Sequence, residues 1–117
     1  MQKITIKGSL PGYNEYINKC RHNRYAGAKF KADTEDAIMW QIKTSQPIQT
    51  PCKLKITFFE PNNRRDYDNI VSSQKFLWDS MVKLGILPND NRKNITKIEY
   101  EVFTDKQNPR IEVTVLE

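Results

Sequence analysis

The residues best suited to chemistry in this chain are Arg64-Arg65-Asp66-Tyr67-Asp68-Asn69. Two carboxylates alternate around a tyrosine, and an amide follows. Hard oxygen donors at this spacing suit Mg²⁺, which takes carboxylate ligands and keeps several waters. The neighbouring arginines would attract the phosphate that such a cation activates. The same residues have a plainer use: Asp68 or Asn69 can cap a helix, and the arginines can pair with acids. Further on come Lys75, Asp79 and, in Gly85-Ile86-Leu87-Pro88-Asn89-Asp90, a last acid. Asp90 can equally be a turn residue before Asn91.

Other chemistries lack their residues. With one histidine, His22, set among basic side chains, a His–Cys zinc site or a helix-borne HExxH is excluded. Cys20 and Cys52 fit no metal spacing and read as reduced structural thiols. No GxxxxGK or GxGxxG is present to cradle a phosphate.

Lys and Arg number 19 against 14 Asp and Glu, a net charge of +5. Residues 19–31 (KCRHNRYAGAKFK) hold Lys19, Arg21, Arg24, Lys29 and Lys31 without an acid, so this one segment carries the whole excess. Tyr13, Tyr16, Tyr25 and Phe30 lie in or beside it. Basic residues interleaved with aromatics suit a phosphate backbone and unstacked bases; a solvated basic loop is the plainer reading.

These residues need a scaffold. At 117 residues, 38% hydrophobic and 28% charged, the chain has the size and composition of one globular domain, 1–117, able to build its own core. No apolar run is long enough to span a bilayer, and Met1 to Gly8 alternates rather than forming a secretory signal. The expectation is a soluble, cytoplasmic protein. Period-two alternation predicts strands over Lys3–Lys7, Lys53–Phe59, Lys97–Phe103 and Arg110–Leu116. Gly8 to about Gly27, with Pro11-Gly12 and several asparagines, reads as a loop. Helices are predicted over Lys29–Lys43 and Asn69–Leu84, the second stopped by Gly85 and Pro88. In that second helix Ile70, Leu77, Met81 and Leu84 form a core stripe, widened by Val71, Trp78 and Val82. Asp68, Ser72, Lys75 and Asp79 share a polar stripe that starts at the carboxylates. The order β-α-β-α-β-β predicts an α+β domain: a mixed four-stranded sheet, two helices on one face, and an antiparallel hairpin closing the chain.

RRDYDN, then Gln74-Lys75-Phe76-Leu77-Trp78-Asp79, then LGILPND together resemble the RusA family of Holliday junction resolvases. These are crossover junction endodeoxyribonucleases common in phages and prophages. Leu10-Pro11-Gly12-Tyr13-Asn14 and Asn108-Pro109-Arg110-Ile111-Glu112-Val113 extend the resemblance over most of the chain. It implies metal-dependent hydrolysis of phosphodiesters in branched DNA, serving recombination and repair. Asp66, Asp68 and Asp90 would be the metal-binding acids, with Mg²⁺ the expected ion and Mn²⁺ a second candidate. No small-molecule cofactor is implied. Lys75 would be the catalytic lysine, and Arg65 the basic residue before the first acid. Arg64, Arg65, Arg21, Arg24, Lys29 and Lys31 would hold DNA. Some members carry the lysine four residues after the second Asp, whereas Lys75 comes later, and Asn89 stands where members often have a further Asp.

The resemblance also implies a homodimer, which suits a four-way junction because symmetric nicking needs two sites related by a two-fold. A continuous helix from Asn69 to Leu84 would be ~24 Å long, separating Asp66 and Asp68 from Asp90. The expectation is therefore an active site shared between two subunits. The competing readings are a nucleic-acid-binding protein without catalysis and a nuclease acting mainly on forks or flaps.

Overall fold

The computed structural model describes residues 2–116. The chain runs β1 (Lys3–Lys7), α1 (Tyr13–His22), α2 (Arg24–Ile42), β2 (Cys52–Glu60), α3 (Tyr67–Ser72), α4 (Gln74–Lys83), β3 (Ile95–Thr104) and β4 (Arg110–Leu116). All four predicted strands form, and they make one mixed sheet in the order β1-β4-β2-β3. This is the α+β domain expected, with the second predicted helix divided in two and a further helix, α1, ahead of the first.

Two expectations need correction. Residues 13–22 are helical rather than loop, because Tyr13, Tyr16, Ile17 and Cys20 repeat at helical spacing. Tyr13 and Tyr16 lean on the fully buried Phe76 ring, with centroids 5.8 and 6.0 Å away. Asn23 then breaks the chain in extended backbone and caps α2, its Oδ1 accepting from the amides of Tyr25 at 2.8 Å and Ala26 at 3.4 Å. The basic residues 19–31 therefore ride on a helical arm.

The second correction concerns the closing strands. β3 and β4 run antiparallel but do not pair, because β2 lies between them, parallel to β3 and antiparallel to β4. Their connection passes the end of β2, where the Asp105 amide donates to the Glu60 carbonyl at 2.8 Å. Parallel strands need a crossover, and α3–α4 provides it.

Ile4, Ile6, Leu54, Ile56, Phe58, Ile111 and Val113 turn one sheet face toward Ile38, Ile42, Ile70, Phe76, Leu77 and Met81, and all are buried. The opposite face is a charged lattice, with Lys55 paired to Glu101, Lys3 to Glu112 and Arg110 to Glu112. There Arg110 also lies 3.7 Å over the Phe59 ring.

α4 stops where Gly85 adopts φ 75°. The Gly85 amide donates to the Val82 carbonyl and the Ile86 amide to the Met81 carbonyl, the paired bonds that close a helix through a left-handed residue. This reversal sends the chain back along α4 toward Asp90.

Candidate active site

α3 begins one residue after Asp66, whose backbone is extended (φ −69°, ψ 154°) and whose side chain makes no capping bond. The capping role read for Asp68 or Asn69 is thus not taken up: Asp66 holds the cap position with its carboxylate free, and Asp68 lies in the first turn. Both carboxylates are exposed, and among the described residues neither has a cation within ion-pair distance. An anion in the first turn also gains from the partial positive charge of the helix N-terminus.

The motif is braced from behind. Arg65 Nη1 donates to Glu60 Oε1 at 3.0 Å, and Nη2 reaches the Asn69 carbonyl at 3.5 Å. Glu60 is 3% exposed at the end of β2, so Arg65 is the counterion of a buried acid. The Ser72 hydroxyl donates to the Asn69 carbonyl at 2.8 Å and accepts from the Tyr13 amide at 3.0 Å, joining α1 to α3. Gly12 permits this approach: a Cβ there would stand 1.8 Å from Asn69 Oδ1.

Ser73 divides the predicted helix between α3 and α4; it falls within the longer gap between Asp68 and Lys75. Lys75 lies on the first turn of α4. Its Nζ is 3.3 Å from Asp79 Oδ1 and 4.0 Å from Asp90 Oδ2. The return after Gly85 thus brings Asp90 alongside Lys75 within one chain. The three acids nonetheless do not meet: among the described residues no three His, Cys, Asp or Glu side chains are grouped closely enough to hold a metal ion. Asp66 and Asp68, exposed and unpaired oxygen donors, fit a hard divalent cation by their chemistry. Asp90 has Lys75 as its neighbour instead.

The basic residues divide into two sets. Arg21, Arg24 and Arg64 are exposed with no carboxylate at ion-pair distance among the described residues, and Lys29 makes only an exposed 3.0 Å pair with Asp33. Arg65 and Lys31 have work inside the protein. Lys31 Nζ sits 3.7 Å from Glu35 Oε2 and 3.4 Å from Asp79 Oδ2. Burial pulls its pKa down, but Glu35 and Asp79 more than offset that, and it ends raised. Two cations read as DNA contacts therefore face acids first: Arg65 is the counterion of the buried Glu60, and Lys31 stands between Glu35 and Asp79.

Beside Lys75 runs a groove of about 580 Å³ lined by Tyr13, Ser72, Gln74, Trp78, Ile98 and Tyr100. Gln74 Oε1 accepts from Tyr100 Oη at 2.7 Å and Trp78 Nε1 at 3.2 Å. Burial raises the Tyr100 pKa, against the opposing effect of the Gln74 bond. Sequence reasoning missed Gln74, Tyr100, Glu35 and Lys83. Glu35 carried one usable signal, an acid on the inward side of a helix beside Ile38 and Ile42. Cys20 and Cys52 are both free thiols; Cys52 is buried, which raises its pKa.

Acids beside a lysine, with arginines left unpaired among the described residues, have the chemistry for handling phosphodiesters. The chain matches the family model described as Endodeoxyribonuclease RusA over residues 11–116. It is 32% identical over 107 residues to the crossover junction endodeoxyribonuclease RusA of Aquifex aeolicus (strain VF5), spanning 79% of this chain and 78% of that protein. The chain belongs to the RusA family of endodeoxyribonucleases.

Proposed function

We propose that this protein is a Mg²⁺-dependent homodimeric endonuclease that resolves four-way DNA junctions by phosphodiester hydrolysis, in the cytoplasm, during recombination and repair. The observation that carries the reading is Lys75 standing 4.0 Å from Asp90 on the helical stretch that opens with the exposed Asp66 and Asp68. Asp66 and Asp68 would hold the cation, with Asp90 completing the set by exchanging Lys75 for it. A bound divalent ion supplies Lewis-acid activation of the phosphate and of water; Mn²⁺ satisfies the same donors. Lys75, released toward the substrate, would stabilise charge growing on the phosphoryl oxygens. Arg64, Arg21, Arg24 and Lys29 would hold backbone phosphates, and two copies would present paired sites to a two-fold junction.

The test is incubation with a synthetic four-way junction and a linear duplex of equal length, with Mg²⁺ and with EDTA. Junction-selective, metal-dependent nicking is expected, and Asp68→Asn should lose cleavage while keeping junction binding. Undiminished cutting by that variant, or by the wild type in excess EDTA, would reject the reading. Preferential cutting of forks or flaps would move the substrate assignment without touching the chemistry.

A further inference from the structure

Six charged side chains alternate in sign across the contact between α2 and α4. Glu35, 1% exposed, is the anchor. Its Oε1 takes the Lys83 ammonium, and its Oε2 has no hydrogen-bond partner, with Lys31 Nζ standing off at 3.7 Å. Lys31 also reaches Asp79 Oδ2 at 3.4 Å, while Asp79 Oδ1 faces Lys75 Nζ at 3.3 Å, and Lys75 faces Asp90 at 4.0 Å. Asp79 therefore offers one oxygen to each lysine, which fixes the plane of its carboxylate.

An isolated surface pair would not hold Lys75. Such pairs contribute little, less than the rotamer entropy a lysine side chain gives up to hold one geometry. A ladder anchored on a buried carboxylate differs, because Glu35 is 1% exposed and Asp79 is held from both sides, by Lys31 and by Lys75. Lys83 already supplies Glu35 with a counterion, so neutralising the buried acid does not by itself explain Lys31. What Lys31 adds is a link from Glu35 to Asp79, and so to the catalytic lysine.

We propose that Lys31 and Glu35 are positioning residues for DNA cleavage: together they fix Asp79, which keeps hold of the Lys75 amine when Asp90 exchanges it for the cation. The proposal rests on the nuclease reading of that site. It also takes Lys31 out of the set of phosphate contacts, although Lys31 belongs to the same basic segment as Arg24 and Lys29.

The variants are Lys31→Met, Lys31→Arg and, as a second route to the same link, Glu35→Gln. Single-turnover cleavage at saturating junction should fall about tenfold or more in Lys31→Met, since sub-ångström to 1 Å misplacement of a catalytic group costs up to ~100-fold. Junction affinity in EDTA and its salt slope should stay at the wild-type value, and Lys31→Arg should recover most of the rate. In DNA-free protein, acylation of Lys75 by dilute acetic anhydride, read by peptide mass spectrometry, should accelerate in Lys31→Met and in Glu35→Gln. Weakened binding with an unchanged rate at saturation would make Lys31 a phosphate contact and overturn the proposal, as would unchanged Lys75 acylation in both variants. A wild-type protein that leaves the junction intact overturns the nuclease reading and with it the catalytic meaning of the ladder. Wild-type cutting matched by Lys31→Met overturns the ladder alone.

Discussion

Arg65→Met separates bracing from DNA contact at the first acid of the site. Glu60 is 3% exposed, and Arg65 Nη1 at 3.0 Å is its ion-pair partner. Removing one partner of a fully buried pair costs about 3–5 kcal/mol. The Arg65 side chain is 23% exposed, so water can replace part of it, and the expected loss is about 2–3 kcal/mol at pH 7. Urea unfolding at pH 7 measures it, and Arg65→Met combined with Glu60→Gln should regain most of the loss. A variant as stable as wild type at pH 7, but with weaker junction binding and a salt slope reduced by about one, would refute the reasoning and return Arg65 to the DNA.

Mixing Asp68→Asn with Asp90→Asn chains should restore nicking, because among the described residues the three acids do not meet within one chain; no recovery in the mixture would show that each site closes within one chain. Replacing Arg21, Arg24 and Lys29 together with alanine should weaken junction binding and lower the salt slope by about 2–3, with stability unchanged; an unaltered slope would leave the arm a solvated surface. Gly12→Ala, whose Cβ would stand 1.8 Å from Asn69 Oδ1, should cost about 1–3 kcal/mol and reduce cleavage further than that loss explains, as followed by thermal melts and single-turnover rates.

The strands were legible because alternation survives wherever one sheet face is buried. Their neighbours were not. Lys97–Phe103 and Arg110–Leu116 sit close in sequence, which suggests a hairpin, yet a strand–helix–strand run already lay in the chain from Lys53 to Phe103. Reading that run as a crossover would have paired β3 with β2 and left β4 to find its own place. The α1 helix hid behind Pro11-Gly12 and the asparagines, although its aromatic spacing was visible. At the site, the sequence pointed to the acids and Lys75. It could not show that Asp90 returns to Lys75, since that depends on the reversal at Gly85. Nor could it show Glu35 and Glu60 buried, the feature that decides which cations remain free for DNA.

The position of β4 bears on how the protein is made. It is the last strand along the chain but an inner strand of the sheet, bonded to β1 on one side and β2 on the other. Before residues 110–116 leave the ribosome, β1 has no partner and β2 has only β3, itself joined through a long crossover. A nascent chain at that stage holds the complete acidic motif and basic arm on an unclosed sheet. Non-local pairing of this kind forms late. Nuclease competence should therefore appear in one step as β4 inserts, which keeps partly synthesised chains from acting on DNA.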